Sequence, residues 1–373
     1  PFVTLAVPAY NEEKTLAGTV ESLVQLNYPS KKIEIIIIND GSKDQTHKIA
    51  TQLAQTYPHV KVIHQKNQGK GAALNTALAQ AKGEIFGCLD ADSFIEKDAL
   101  LKMLTEFENP DVGAVLPRIM VRNTHKKILQ MQWMEYINTF FSKKLMGYLD
   151  CIHVTPGPFS LYQKSLVQQV GGFDINNLTE DLEMALKIQK QHKKIIQRLD
   201  VIAETMAPST FKAFYKQRNR WYKGAFFNVI KHRDLIFNKR YGEFGLMQVP
   251  LMMISALIYL VTFSYIFYSQ LFEPLYQKGV NLFYSNAHPW NNLKDWITQF
   301  SILDLNYFNI YLVVTAFILG FTFIHLAFKA SGKKVFKEGL HALVFYILIY
   351  HITIFIIWWG VVIDLIFRKK QKW

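Results

Sequence analysis

Short, almost unbroken apolar runs alternate with amphipathic stretches over the first part of the chain, and far longer apolar runs fill its last third. Phe2-Val3-Thr4-Leu5-Ala6-Val7, closed by Pro8, reads as a buried strand. Asn11 then caps a helix that has Glu12 and Glu13 in its first turn and Leu16, Val20, Leu23 and Val24 at helical spacing. Ile33 to Ile38 is a second strand and ends at Asn39-Asp40-Gly41-Ser42. A third, Val60 to Ile63, precedes the turn Gln68-Gly69-Lys70-Gly71 and a helix through Leu74, Ala77 and Leu78. The fourth runs from Ile85 into Asp90-Ala91-Asp92-Ser93. Each strand is too apolar to face water, so the alternation predicts a parallel sheet covered by helices on both sides. Right-handed crossovers then bring Asp40, Lys70, Asp90 and Asp92 to one rim, at the carboxyl ends of the strands.

Downstream, residues 126–150 form an amphipathic helix whose apolar face is wider than a soluble domain needs; it either lies in a bilayer interface or packs on the sheet. Gly157-Pro158-Phe159-Ser160-Leu161-Tyr162 is a turn entering a strand, and Thr179 caps a helix with Asp181 in its first turn. From Phe211 a basic, aromatic stretch carries Gln217, Arg218, Arg220, Trp221, Phe226 and Phe227, the composition of an interface helix. Three apolar segments, about Leu246–Leu271, Phe308–Phe328 and Leu340–Phe367, meet the length of roughly 20 residues that a bilayer core demands. The expected divisions are a catalytic domain over 1–208, an interface helix over 209–240, a transmembrane region over 246–367 and a basic tail over 368–373.

The net charge of +13 is concentrated between Lys212 and Arg240 and in that tail, next to apolar segments. This favours an anionic membrane surface or phosphorylated substrates and argues against nucleic acid, for which no recognised module is visible. Cys88 and Cys151 have no metal-ligand spacing and imply no disulfide framework. The chain starts at Pro1 directly ahead of a strand, which predicts a further N-terminal segment. Lys329, Lys333, Lys334 and Lys337 place their loop, with the catalytic domain, on the cytoplasmic side of a multi-pass cell-membrane protein. Three crossings then leave the tail outside, so either one segment is interfacial or re-entrant or the tail breaks the rule.

An extended segment points residues i and i+2 the same way, so Asp90 and Asp92 are expected to converge. Two hard oxygen donors suit Mg2+ or Mn2+; the plainer reading is a loop in which Ser93 caps the next helix.

Pro8-Ala9-Tyr10-Asn11-Glu12, Asn39-Asp40-Gly41-Ser42, Asp90-Ala91-Asp92, Thr179-Glu180-Asp181 and Gln217-Arg218-Asn219-Arg220-Trp221 follow one another in the order and approximate spacing of the family 2 inverting glycosyltransferases. More narrowly, the chain resembles the processive membrane synthases of cellulose, chitin, hyaluronan and poly-N-acetylglucosamine. The resemblance implies a GT-A fold, a Rossmann-like α/β nucleotide-diphospho-sugar transferase domain, followed by amphipathic interface helices and a transmembrane α-helical region. It also implies a UDP-sugar donor, with UDP-N-acetylglucosamine favoured, a glycan acceptor, and Mg2+ or Mn2+ held by Asp92 with help from Asp90. Asp40 is assigned to the nucleobase or ribose, with Ala9, Tyr10 and Glu12 in the same pocket. Arg220, with Arg218 as a second candidate, and Lys70 are set against the diphosphate, together with Asp90. The Gly-Lys-Gly setting of Lys70 is not a phosphate loop of the Walker type. Asp181 is the implied base for the acceptor hydroxyl. Trp221 offers a flat face for an acceptor sugar, with Gln217 and Glu180 beside it.

A single-addition transferase making a polyprenyl-phosphate sugar is the second reading, and a membrane receptor that binds nucleotide sugars without turnover is the third. Membrane lipids are expected partners of all three. Three spans are few for a translocation channel, so an N-terminal segment or a homo-oligomer is expected to complete it.

Overall fold

A computed structural model describes residues 1–284, 307–334 and 339–367; Lys337 and the basic tail 368–373 lie outside the described residues. The chain forms two units, Pro1–Met253 with Gly339–Trp373, and Ile254–Glu338.

The first unit is built on eight strands: β1 (Val3–Ala9), β2 (Ile33–Asp40), β3 (Val60–Gln65), β4 (Ile85–Cys88), β5 (Ser93–Ile95), β6 (Val112–Val121), β7 (Ser160–Gln163) and β8 (Lys194–Thr205). Helices α1 (Leu16–Val24), α2 (Thr46–Thr56), α3 (Lys70–Gln80), α4 (Ala99–Leu104), α5 (Lys127–Gly147), α6 (Lys164–Gln169), α7 (Glu180–Lys190) and α8 (Phe211–Lys231) connect or follow them. The strand order is β3-β2-β1-β4-β7-β6-β8-β5. The first four strands are parallel, and β2 shows why its sequence is continuously apolar: Ile35 and Ile37 enter the core on the α1 face, while Ile36 and Ile38 enter the core on the α3 face. Each such fully buried isoleucine contributes about 1.5–3 kcal/mol.

The second half departs from the expected parallel sheet. Strand β7 runs antiparallel to β4 and β6, and β5 runs antiparallel to β8, whereas β6 and β8 are parallel. Beyond β4 the chain turns back rather than crossing over through a helix. The amide of Ser93 donates to the carbonyl of Asp90 at 2.9 Å, so Asp90 and Asp92 sit in a tight turn and not in the extended segment anticipated from their spacing.

Helix α5 packs on β6 and β8 and also against the C-terminal helix Leu340–Ile366, which explains its wide apolar face. That C-terminal helix is fixed to α8 by polar and aromatic contacts. Lys223 donates to Asp364 at 2.6 Å, Asn219 donates to the same carboxylate at 3.3 Å, and the Tyr222 and Trp358 rings stack at 4.6 Å. Gly360 admits the ring of Tyr215, which a Cβ there would strike.

Among the described residues two helices, Phe244–Phe267 and Leu340–Ile366, are long and apolar enough to cross a membrane. The third expected span forms a helix of 24 residues, Tyr307–Ala330, with the apolar stretch Val314–Ala330 among the described residues. Side chains such as Leu257, Val261 and Tyr265 on the first span and Leu348 and Ile352 on the second are exposed.

Close approach of α8 to the start of α7 depends on Gly224, where a Cβ would collide with the Thr179 side chain. Gly224→Val is therefore expected to cost about 1–3 kcal/mol, read as a lowered thermal midpoint of the detergent-purified protein.

Candidate active site

A cavity of about 430 Å3 lies beyond the carboxyl end of β4. The turn after β4 gives it Asp90 and Asp92, and the first residue of α3 gives it Lys70. The start of α7 contributes Glu180 and Asp181; one face of α8 contributes Gln217, Arg220 and Trp221. Helix α5 and the loop containing His153 and Gly157 close the remaining wall.

Lys70 organises the centre. Its Nζ lies 2.5 Å from Asp90 Oδ1 and 3.2 Å from Glu180 Oε1, joining motifs 90 residues apart in the chain. Burial opposes its charge, but Asp90 and Glu180 hold it well above the ordinary lysine value. Gly157 lets the loop pass over this ion pair, since a Cβ would meet both Asp90 oxygens and the Lys70 ammonium. The other Glu180 oxygen, Oε2, is buried and has no hydrogen-bond partner among the described residues. Such an oxygen is costly to bury and well suited to accept from a sugar hydroxyl.

Asp92 accepts from the Ser93 and Thr205 hydroxyls at 3.1 and 3.4 Å. Burial, then the nearby charges of Asp90 and Glu12, push its carboxyl up to about 7. The group therefore lacks positive charge that a divalent cation would supply, and its hard oxygens fit Mg2+ or Mn2+. Among the described residues no three Asp, Glu, His or Cys side chains converge to enclose an ion, so phosphate oxygens would complete the shell around Asp92 and Asp90.

Asp181 Oδ1 accepts from the amide of Leu182 at 2.8 Å, while its carbonyl is held by the amide and hydroxyl of Thr155. Burial and then the Glu180 charge raise the Asp181 carboxyl to about 6, against the pull of Lys70 and Arg220. Thr179 precedes α7, but its hydroxyl makes no capping bond and accepts instead from Asn228 of α8 at 3.0 Å.

Other expected residues fall outside this wall. Both Asp40 oxygens are taken up within the fold: Oδ1 accepts from Gln65 Nε2 and the Gln68 amide, and Oδ2 from the Gly69 amide. Asp40 thus shapes the loop that presents Lys70. Ala9 is buried and Tyr10 exposed at the end of β1. Glu12 accepts from Thr15 at 2.7 Å and reaches the cavity through its field on Asp92.

Arg218 does not line the cavity. It is fully buried and bidentate to Glu135 at 3.1 and 2.7 Å, with its guanidinium 3.9 Å from the Trp221 ring centre. It braces Trp221. Arg220 does line the cavity and donates to the Leu178 carbonyl at 2.8 Å. Sequence reasoning missed the α5 residues Glu135, Thr139 and Lys143, which all line the cavity. Their i, i+4, i+8 spacing is a polar stripe on an otherwise apolar helix, a signal that was there to be read.

Residues 4–171 match the family described as Glycosyl transferase family 2. The poly-beta-1,6-N-acetyl-D-glucosamine synthase of Staphylococcus epidermidis is 33% identical over 242 residues, covering 62% of this chain and 58% of the relative. That of Staphylococcus aureus strain COL is 32% identical over 224 residues, covering 60% and 54%. The chain thus spans little more than half the length of these relatives. Among solved structures, the mannosyltransferase PcManGT from Pyrobaculum calidifontis, in complex with GDP-Man and Mn2+, is similar with a TM-score of 0.54, 19% identity and coverage of 93% of this chain and 87% of that one. TarS 1-349 from S. aureus, in complex with UDP-GlcNAc, is similar with a TM-score of 0.50, 19% identity and coverage of 68% and 72%. At that identity both likenesses speak to the fold, which is GT-A.

Removing Arg218 leaves Glu135 half-buried and uncompensated. Arg218→Met is expected to cost about 3–5 kcal/mol, with partial recovery on adding Glu135→Gln, measured as coupling in a double-mutant cycle of thermal unfolding.

Proposed function

Because residues 4–171 match the family described as Glycosyl transferase family 2, we propose that the chain transfers a sugar from a UDP-sugar, UDP-N-acetylglucosamine in the first instance, to a growing glycan at a membrane. One observation carries this reading. Asp90 and Asp92, the cation Lys70, the raised carboxyl of Asp181 and the face of Trp221 line a single cavity, although they come from four separate parts of the sequence. The staphylococcal relatives are named for polymerising N-acetylglucosamine, and TarS was solved with UDP-GlcNAc, which supports the choice of donor.

In this reading Asp92 and Asp90 hold a divalent cation that, when bound, neutralises the diphosphate. Lys70 and Arg220 add positive charge on the same side. The acceptor sugar lies along Trp221, with a hydroxyl accepted by the unpartnered Glu180 Oε2 and the attacking hydroxyl directed at Asp181. Asp181 takes the hydroxyl proton as the acceptor oxygen bonds to the anomeric carbon. The bond from that carbon to the diphosphate oxygen breaks, UDP leaves with the electron pair, and the anomeric configuration inverts. The exposed apolar side chains of the two long helices, and the exposed Phe226, Phe227 and Ile230 of α8, support a membrane setting.

Asp181→Asn is expected to lower turnover by about 10²–10⁴-fold while UDP still binds, measured by UDP release and by calorimetry. A base acts only when deprotonated, so wild-type turnover should fall as pH drops through about 6, where Asp181 takes up its proton. Asp92→Asn should weaken Mn2+-dependent UDP binding by about 10-fold or more, since one of few hard donors is lost. Purified protein given UDP-N-acetylglucosamine and Mn2+ should yield a ladder of oligomers; a single lipid-linked sugar would overturn the polymerising reading.

A further inference from the structure

Lys143 of α5 has no place in the chemistry above, yet it stands where two cavities meet. It lines the 430 Å3 cavity, and it also lines a second cavity of about 220 Å3 between α5 and the C-terminal helix. No hydrogen bond or ion pair among the described residues engages its ammonium, and the one charged side chain that acts on it is Asp181. The other ionisable groups around it are already committed or uncharged. Glu135, two turns back on the same helix, is held by Arg218. His153 of the neighbouring loop is in contact with Gln248, and burial pushes its imidazole down to about 4, so it stays neutral. Tyr346 and Tyr350 present phenols from the C-terminal helix. Across the larger cavity, Lys70 is divided between Asp90 and Glu180, and Arg220 donates to the Leu178 carbonyl.

We propose that Lys143 is a positioning residue that keeps Asp181 ionised when the negatively charged diphosphate enters the cavity. The physical need is plain: a carboxylate already raised by burial beside Glu180 rises further when phosphate charge arrives, and a protonated Asp181 accepts no proton. Lys70 and Arg220 are then drawn to the diphosphate, which leaves the α5 ammonium to offset the new charge at Asp181. Burial lowers the Lys143 ammonium to about 8, so over the range in which Asp181 titrates, near 6, Lys143 still carries its charge.

This inference rests on Asp181 being the base, and the test separates the two. Turnover of UDP-N-acetylglucosamine is measured by UDP release across pH 5–10 in wild type, Lys143→Gln, Lys143→Arg and Asp181→Asn, with UDP binding and thermal midpoint recorded for each preparation. The expected wild-type profile falls on the acid side near pH 6. In Lys143→Gln the acid limb should move up by about one unit with UDP affinity changed less than about threefold. In Lys143→Arg, which keeps the charge, the acid limb should return to its wild-type position. An acid limb unmoved in Lys143→Gln, or one that stays raised in Lys143→Arg, overturns the proposal. Should Lys143→Gln fail to fold, Lys143→Arg decides alone: an acid limb that rises although the charge is kept overturns the proposal. Activity retained by Asp181→Asn would instead overturn the assignment of the base.

Discussion

A single ammonium group bears the electrostatic load of this active site. Lys70 begins α3 and reaches both Asp90, in the turn after β4, and Glu180, at the start of α7. Without it four acids from two distant motifs would share one cavity with only Arg220 and Lys143 to offset them, and their mutual repulsion would oppose the closure of the fold there. Its placement depends in turn on Asp40, which holds the preceding loop through the Gln68 and Gly69 amides. The arrangement of acids at the sheet edge is thus partly scaffolding: Asp40 arranges the backbone, Asp90 steadies the lysine, and Asp92 lines the cavity.

Division of labour along α8 follows the same logic. Arg218 and Arg220 are two residues apart and point to different surroundings, one into a buried pair with Glu135 and the other into the cavity. Buried charges persist only when matched, and the bidentate geometry supplies the match. A guanidinium fixed in this way gives Trp221 a rigid backing, so the indole presents a settled face rather than a swinging one.

Much of this was legible beforehand because the signals were local. The isoleucine run of β2, the glycine-lysine turn at the start of α3 and the acids in the first turn of α7 each announce their element through spacing alone. What escaped notice depends on long-range contacts. Nothing near Asp40 shows that amides from residues 68 and 69 will absorb its oxygens, and nothing near Arg218 points to Glu135, 83 residues earlier. The strand direction of β5 was hidden for a related reason: the turn at Asp90 reverses the chain where an apolar strand running straight into acids suggests continuation. The width of the α5 apolar face was visible, but its cause was not, since the partner that covers it lies near the far end of the chain.

The pairing of Lys223 with Asp364 has an implication for how force travels through the molecule. Both charges sit in largely apolar surroundings, so neither can be pulled from the other cheaply. Helix α8 and the C-terminal helix are therefore obliged to tilt or slide together. In the membrane setting proposed above, a change in bilayer thickness or lateral pressure that leans the apolar helix would be delivered, through this latch, to the stretch bearing Gln217 and Trp221. The lipid environment would thereby become a mechanical input to that wall of the cavity.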